Sequence, residues 1–191
     1  MITEVLISEL KKVTLDIMHQ AHQKFTHLSD NQKNWRKDSA SWSINEVFAH
    51  LNEFAGYYHP LFQSKIENTR FKEPKDIFIS SPLGRAAWKA MKLGNAKNIR
   101  RKFKTERLYN PTVLNELVKN NAVQSFESSQ NELLKIIDSA THVNLRKVKI
   151  PISMSKMIRL RLGDALLFAV YHNERHIYQA IALLNHPQFP K

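Results

Sequence analysis

Apolar residues recur along the first part of the chain at three- and four-residue steps: Ile2, Leu6, Leu10, Val13, Ile17, Ala21, Phe25 and Leu28. One face of an α-helix repeats every ~3.6 residues, so this stripe predicts a first helix of about seven turns with one side buried. Polar residues between Ser29 and Ser41 interrupt it. The next start signal is Ser43 with Glu46 three residues on, a capping box in which each side chain satisfies a free backbone N–H at the other end. Ile44, Val47, Phe48, Leu51, Phe54, Ala55, Tyr58, Leu61 and Phe62 then trace a broad apolar face, predicting a second helix to about Thr69.

From Phe71 to Pro111 the periodicity loosens under Pro74, Pro82, Gly84, Gly94 and Pro111, leaving a short helix predicted around Arg85–Met91. A third long helix is predicted from Leu114, Leu117, Val118, Ala122, Phe126, Leu133 and Ile137. Residues 139–161, with Pro151 inside, predict an extended connection. A last helix is predicted from Leu162 to about Asn185, its stripe being Leu162, Ala165, Leu166, Ala169, His172, His176, Ala180 and Leu183. His186-Pro187 ends it, because a residue before proline avoids the helical region.

Composition agrees with this pattern. Only 4 glycines stand in 191 residues, which leaves few ways to build tight hairpins. Hydrophobic content of 42% and charged content of 24% are those of a chain that buries a core. The expectation is one all-α domain over residues 1–191, a four-helix bundle with a long basic link at about 71–111 between its second and third long helices. The absence of cysteine excludes a disulfide framework, a cysteine nucleophile and thiolate metal ligands, so any metal falls to histidine, carboxylate or water. The N-terminus alternates apolar and charged residues, and no stretch reaches the ~18 apolar residues of a membrane span. A cytoplasmic protein with no membrane partner is the reading.

Two histidines break the apolar stripe of the last helix. His172 and His176 are four residues apart, so at ~100° per residue they stand about 40° apart, one turn above the other. Imidazoles so placed can aim nitrogens at one ion. In the zinc-protease pattern HExxH a glutamate follows the first histidine; here Asn173 follows His172, so that reading fails. A third ligand must come from another inward face, and His50, between Val47 and Phe54, fits best. His59 is rotated to the opposite side of that helix, His19, His22 and His27 lie off the first helix's stripe, and His142 and His186 fall in connections. One such pair among 9 histidines is unremarkable by spacing alone. Placement on a buried stripe gives it weight, because neutral imidazoles in a core each need a partner and their protonated forms repel.

These residues resemble a known family. Trp42-Ser43-Ile44-Asn45-Glu46-Val47-Phe48-Ala49-His50-Leu51 is similar to the opening of the second helix in the DinB-like proteins. Leu162-Gly163-Asp164-Ala165-Leu166 followed by Tyr171-His172-Asn173-Glu174-Arg175-His176 resembles that family's last helix, and the likeness covers nearly the whole chain. The family includes the YfiT-like proteins, proposed to be metal-dependent hydrolases. The resemblance implies a four-helix bundle, a divalent metal (commonly nickel or zinc) on His50, His172 and His176, and a homodimer. It further implies either transfer of a low-molecular-weight thiol or hydrolysis, with the substrate open.

Three histidines leave a coordination position open for water or a thiolate. No catalytic residue follows from the pattern. Glu53 is the nearest helical candidate for a base, Glu174 is expected to face solvent, and Tyr58 and Tyr171 are expected in the core or lining a pocket. Net charge is +12, with Lys89, Lys92, Lys97, Arg100, Arg101, Lys102, Lys104 and Arg107 crowded into 89–107 around Trp88 and Phe103. A solvated loop is the plainer reading of this segment. A lid attracting a small anionic thiol substrate, or a nucleic-acid contact surface, are the alternatives for it, and a non-catalytic bundle whose metal site is only structural is a further alternative for the whole chain.

Overall fold

The computed structural model describes residues 1–94 and 105–191. They are mostly helical: α1 (Thr3–Phe25), α2 (Asp30–Asn34), α3 (Ile44–Glu67), α4 (Pro82–Met91), α5 (Ala122–Ala140) and α6 (Leu162–Leu184). The four long helices pack as α1 on α5 and α6, and α3 on α5 and α6, while α4 covers another side of α6. No helix among the described residues is long and apolar enough to cross a membrane.

The first two long helices follow their stripes. On α1, Leu6, Leu10, Ile17, Ala21 and Phe25 are buried. On α3 the box predicted at Ser43 is present in both directions, the Ser43 N–H donating to Glu46 Oε2 at 2.8 Å and the Glu46 N–H to Ser43 Oγ at 3.3 Å. Glu46 is itself buried and is gripped by the forked guanidinium of Arg36, which ties the end of α2 to the start of α3.

The core divides into two clusters. One gathers the first half of α1, the end of α3 and the start of α6; the other gathers the second half of α1, the start of α3 and the end of α6. On α3 the changeover falls between Leu51 and Phe54, and on α6 between Tyr171 and Ile177. The polar residues of the candidate site lie close to that level.

Four local expectations are corrected. The third long helix begins at Ala122; residues 115–117 form a separate 3-10 turn that leaves Leu114, Leu117 and Val118 only partly buried. A break before residue 122 lets this stretch pack on α3 instead of continuing α5. Residues 139–161 contain an antiparallel hairpin, β1 (Lys149–Ile152) with β2 (Ser155–Arg161), so the described residues are helical with one small two-stranded sheet. The polar break after α1 holds the short helix α2, capped by Ser29 and Gln32. The link at 71–111 contains α4, which starts at Pro82, three residues earlier than its pattern implied.

Candidate metal centre

The last helix decides the geometry. Because α6 packs on α1, α3 and α4 together, it is buried almost all round, and residues 171–175 are all below a tenth exposed. Glu174, expected at the surface, is 3% exposed; a helix enclosed on three sides has no open face at that position. His172 is buried and His176 partly exposed, and together with His50 their ligand atoms lie within 4.8 Å of one another.

The outer nitrogens show which inner ones are free. His50 Nδ1 lies 2.7 Å from the Tyr109 carbonyl, which can only accept. The proton therefore sits on Nδ1 and leaves Nε2 with a lone pair. His176 Nδ1 donates in the same way to Gln179 Oε1 at 3.0 Å. His50 Nε2 and His172 Nε2 stand 3.2 Å apart. Two nitrogens sharing one ion at ~2.0–2.1 Å, with angles between 90° and tetrahedral, are ~2.9–3.4 Å apart, so the pair fits a common divalent cation. His172 Nδ1 is buried and makes no hydrogen bond among the described residues, so burial has taken this nitrogen from water with no polar partner in exchange.

Aromatic rings wall the site. Trp42 lies 5.0 Å from His50 and stacks on His176 at 5.9 Å. On the other side Phe54 stacks on His172 at 4.2 Å, with Phe168 parallel to it at 5.9 Å. Burial is accordingly the main force on all three imidazoles, pushing His50 down to about 4 against the pull of the Tyr109 carbonyl. His172 and His176 are pushed well below the ordinary histidine range, by burial first and then by the neighbouring imidazoles. All three are neutral at pH 7, the form that donates a lone pair to a metal.

Sequence reasoning did not foresee Tyr109, Gln179 or Trp42 as supports of the site. Gln179 had a signal, since a side chain three residues after His176 on a helix faces it. Tyr109 had none, because a backbone carbonyl leaves no trace in residue type and reaches His50 across 59 positions.

The other predicted residues fall elsewhere. Glu53 is partly exposed and takes no part in a hydrogen bond or ion pair among the described residues. His59 is on the far side of α3, as its spacing implied, but is buried there against Glu132 at 3.3 Å. His19, His22, His27 and His142 are exposed, and His186 lies near Trp35. Tyr58 is core and receives the Ser153 N–H at 3.1 Å. Tyr171 is also core, accepting from Lys92 Nζ at 2.8 Å and donating to Glu9 at 3.2 Å. Of the basic segment, Lys97, Arg100, Arg101, Lys102 and Lys104 lie outside the described residues.

Comparison with curated proteins and with solved structures gives no significant match. A family model does match, over residues 16–180, a span that runs from the middle of α1 to about a turn short of the end of α6 and includes all three histidines. With its helices in this order and the histidines of α3 and α6 brought together, the chain belongs to the DinB superfamily.

Proposed function

We propose that this protein is a metal-dependent enzyme in which His50, His172 and His176 hold a divalent ion, nickel or zinc, with a coordination position left for a small substrate. The observation that carries this reading is the convergence of three neutral imidazoles, with two of their outer nitrogens already committed to Tyr109 and Gln179. A bound divalent ion would supply Lewis acidity, lowering the pKa of a water or thiol at the open position. The protein's own part is to keep the imidazoles neutral by burial, to orient them through Tyr109 and Gln179, and to limit water through Trp42, Phe54 and Phe168.

All three ligands are neutral, so an ion held here keeps its full double charge and favours an anionic fourth partner. That supports a thiolate or hydroxide, and hence a thiol S-transferase or a hydrolase, in a four-helix bundle working as a cytoplasmic homodimer. Between the two activities we favour thiol transfer, because among the described residues Glu53 makes no hydrogen bond or ion pair that would hold it as a base for water. The test is metal analysis of protein purified without added metal, alongside His50→Ala and His176→Ala, followed by turnover on a panel of thiols and esters. We expect near-stoichiometric nickel or zinc in the parent and its loss in both variants. A folded parent that neither carries nor takes up a divalent ion would overturn the proposal.

A further inference from the structure

A second site lies at the opposite end of α3. Ser64 is fourteen positions beyond His50, about 21 Å along the helix at ~1.5 Å per residue. There the end of α3, the chain that follows it and the start of the hairpin border an open surface cleft of about 240 Å³, lined by Ser64, Asn68, Thr69 and Phe71 with the exposed Lys65, Lys147 and Lys149. We propose that this cleft binds the phosphate group of a small phosphorylated molecule.

The charge is the first argument. Between Asp138 and Asp164 the sequence has no acidic residue and six Lys or Arg. Among the described residues, Lys65, Lys147 and Lys149 form no ion pair, although three cations around one cleft repel. Lys149 also stands opposite Arg161 in the hairpin register, and like charges facing each other across strands are destabilising. Burial, then Arg161, Arg146 and Lys147, lower the Lys149 ammonium against the opposing pull of Asp164. An anion in the cleft relieves that repulsion.

The cations have no simpler task at the helix end. The last carbonyls of α3 are already served by Lys72 Nζ, which donates to Ile66 O at 2.9 Å and Glu67 O at 2.7 Å. Phe71 steadies two cations, with the Arg70 guanidinium 5.1 Å and Lys147 Nζ 6.0 Å from its ring. Thr69 Oγ1 accepts from the Phe71 N–H at 3.2 Å, which leaves its own proton free to donate to an anion.

Size selects the ligand. Pockets for drug-sized molecules begin near ~300 Å³, so a cleft of about 240 Å³ suits a phosphate or pyrophosphate group rather than a whole nucleotide. A polynucleotide would instead need an extended track of phosphate contacts.

The test titrates the purified, metal-loaded protein with inorganic phosphate and pyrophosphate at constant ionic strength, reading melting temperature and direct calorimetry against chloride. We expect saturable binding, at least tenfold weaker in Lys147→Gln/Lys149→Gln and unchanged in Lys12→Gln/Lys119→Gln, which loses the same charge elsewhere. Phosphate could also reach an ion on the histidines, so the titration is repeated on His176→Ala, where binding should persist. Binding lost in His176→Ala but kept in Lys147→Gln/Lys149→Gln would overturn the proposal. So would equal weakening in both lysine doubles, or binding of a single-stranded oligonucleotide with which pyrophosphate does not compete. None of these results depends on whether the metal centre turns over substrate.

Discussion

The Nδ1 proton of His50 is committed to the Tyr109 carbonyl, and the imidazole is thereby aimed before any ion arrives. Replacing His50 by alanine should abolish metal uptake, whereas Gln179→Ala should weaken it by ~10–100-fold while leaving a folded protein, as measured by competition with a chromogenic chelator. The same burial that keeps these imidazoles neutral makes the metal-free protein acid-sensitive. His50 moves from 6.5 to about 4 on folding, so between those values the unfolded chain binds more protons than the folded one. Stability is then full above about pH 6.5 and declines as pH falls toward 4, by on the order of 3 kcal/mol for this group. His59, lowered by burial against the pull of Glu132, acts in the same direction. Denaturant melts of metal-free protein from pH 7 to pH 4 should show this decline, and a flat profile would contradict it. Of these residues, His50, His172 and His176 were legible in the sequence because helical spacing turns position into direction. The burial of Glu174 was not, since spacing gives a residue's angle on a helix but not what stands opposite it.

At the scale of elements, the start of α3 is held by its box and by the Arg36 fork on the buried Glu46. Ser43→Ala should cost about 1 kcal/mol, and Glu46→Ala more, because it leaves both the Ser43 N–H and the guanidinium without their partner. The start of α4 depends on α6. Asp164 Oδ2 accepts from the Ser81 N–H at 2.9 Å and the Ser81 hydroxyl at 3.1 Å, and Ser81 Oγ in turn accepts from the Gly84 N–H at 3.0 Å. A methyl added to Gly84 would overlap the Asp164 carboxyl, so Gly84→Ala should destabilise by about 1–3 kcal/mol in urea melts although alanine is the better helix former. The α2 box, Ser29 with Gln32, was readable by the rule that found Ser43, but the segment after it carries no apolar stripe to point at a helix. The hairpin was hidden for a different reason. A four-residue strand facing a seven-residue one, with an irregular register between Pro151 and Ile152, leaves too little alternation to detect.

For the molecule as a whole, an ion bridging α3 and α6 would join two helices whose histidines lie 122 positions apart in the chain. Binding restricted to the folded state stabilises by ~2.7 kcal/mol at a ligand concentration of a hundred dissociation constants. For a domain of this size that raises the melting temperature by about 5–10 °C. Calorimetric scans with nickel or zinc should show the rise, a chelator should reverse it, and His176→Ala should be indifferent to both. Several properties were determined by the sequence alone: the order of four long helices, the cap of α3, the absence of thiolate ligands, and the three histidines on inward stripes. Each follows from local physics, in which helical period and backbone satisfaction act within a few residues. Tertiary structure alone decided that the imidazoles meet with nitrogens 3.2 Å apart, that the Tyr109 carbonyl orients one of them, and that lysines from α3 and the hairpin share a cleft. Those contacts join residues tens of positions apart, and no local preference encodes a distance across the core.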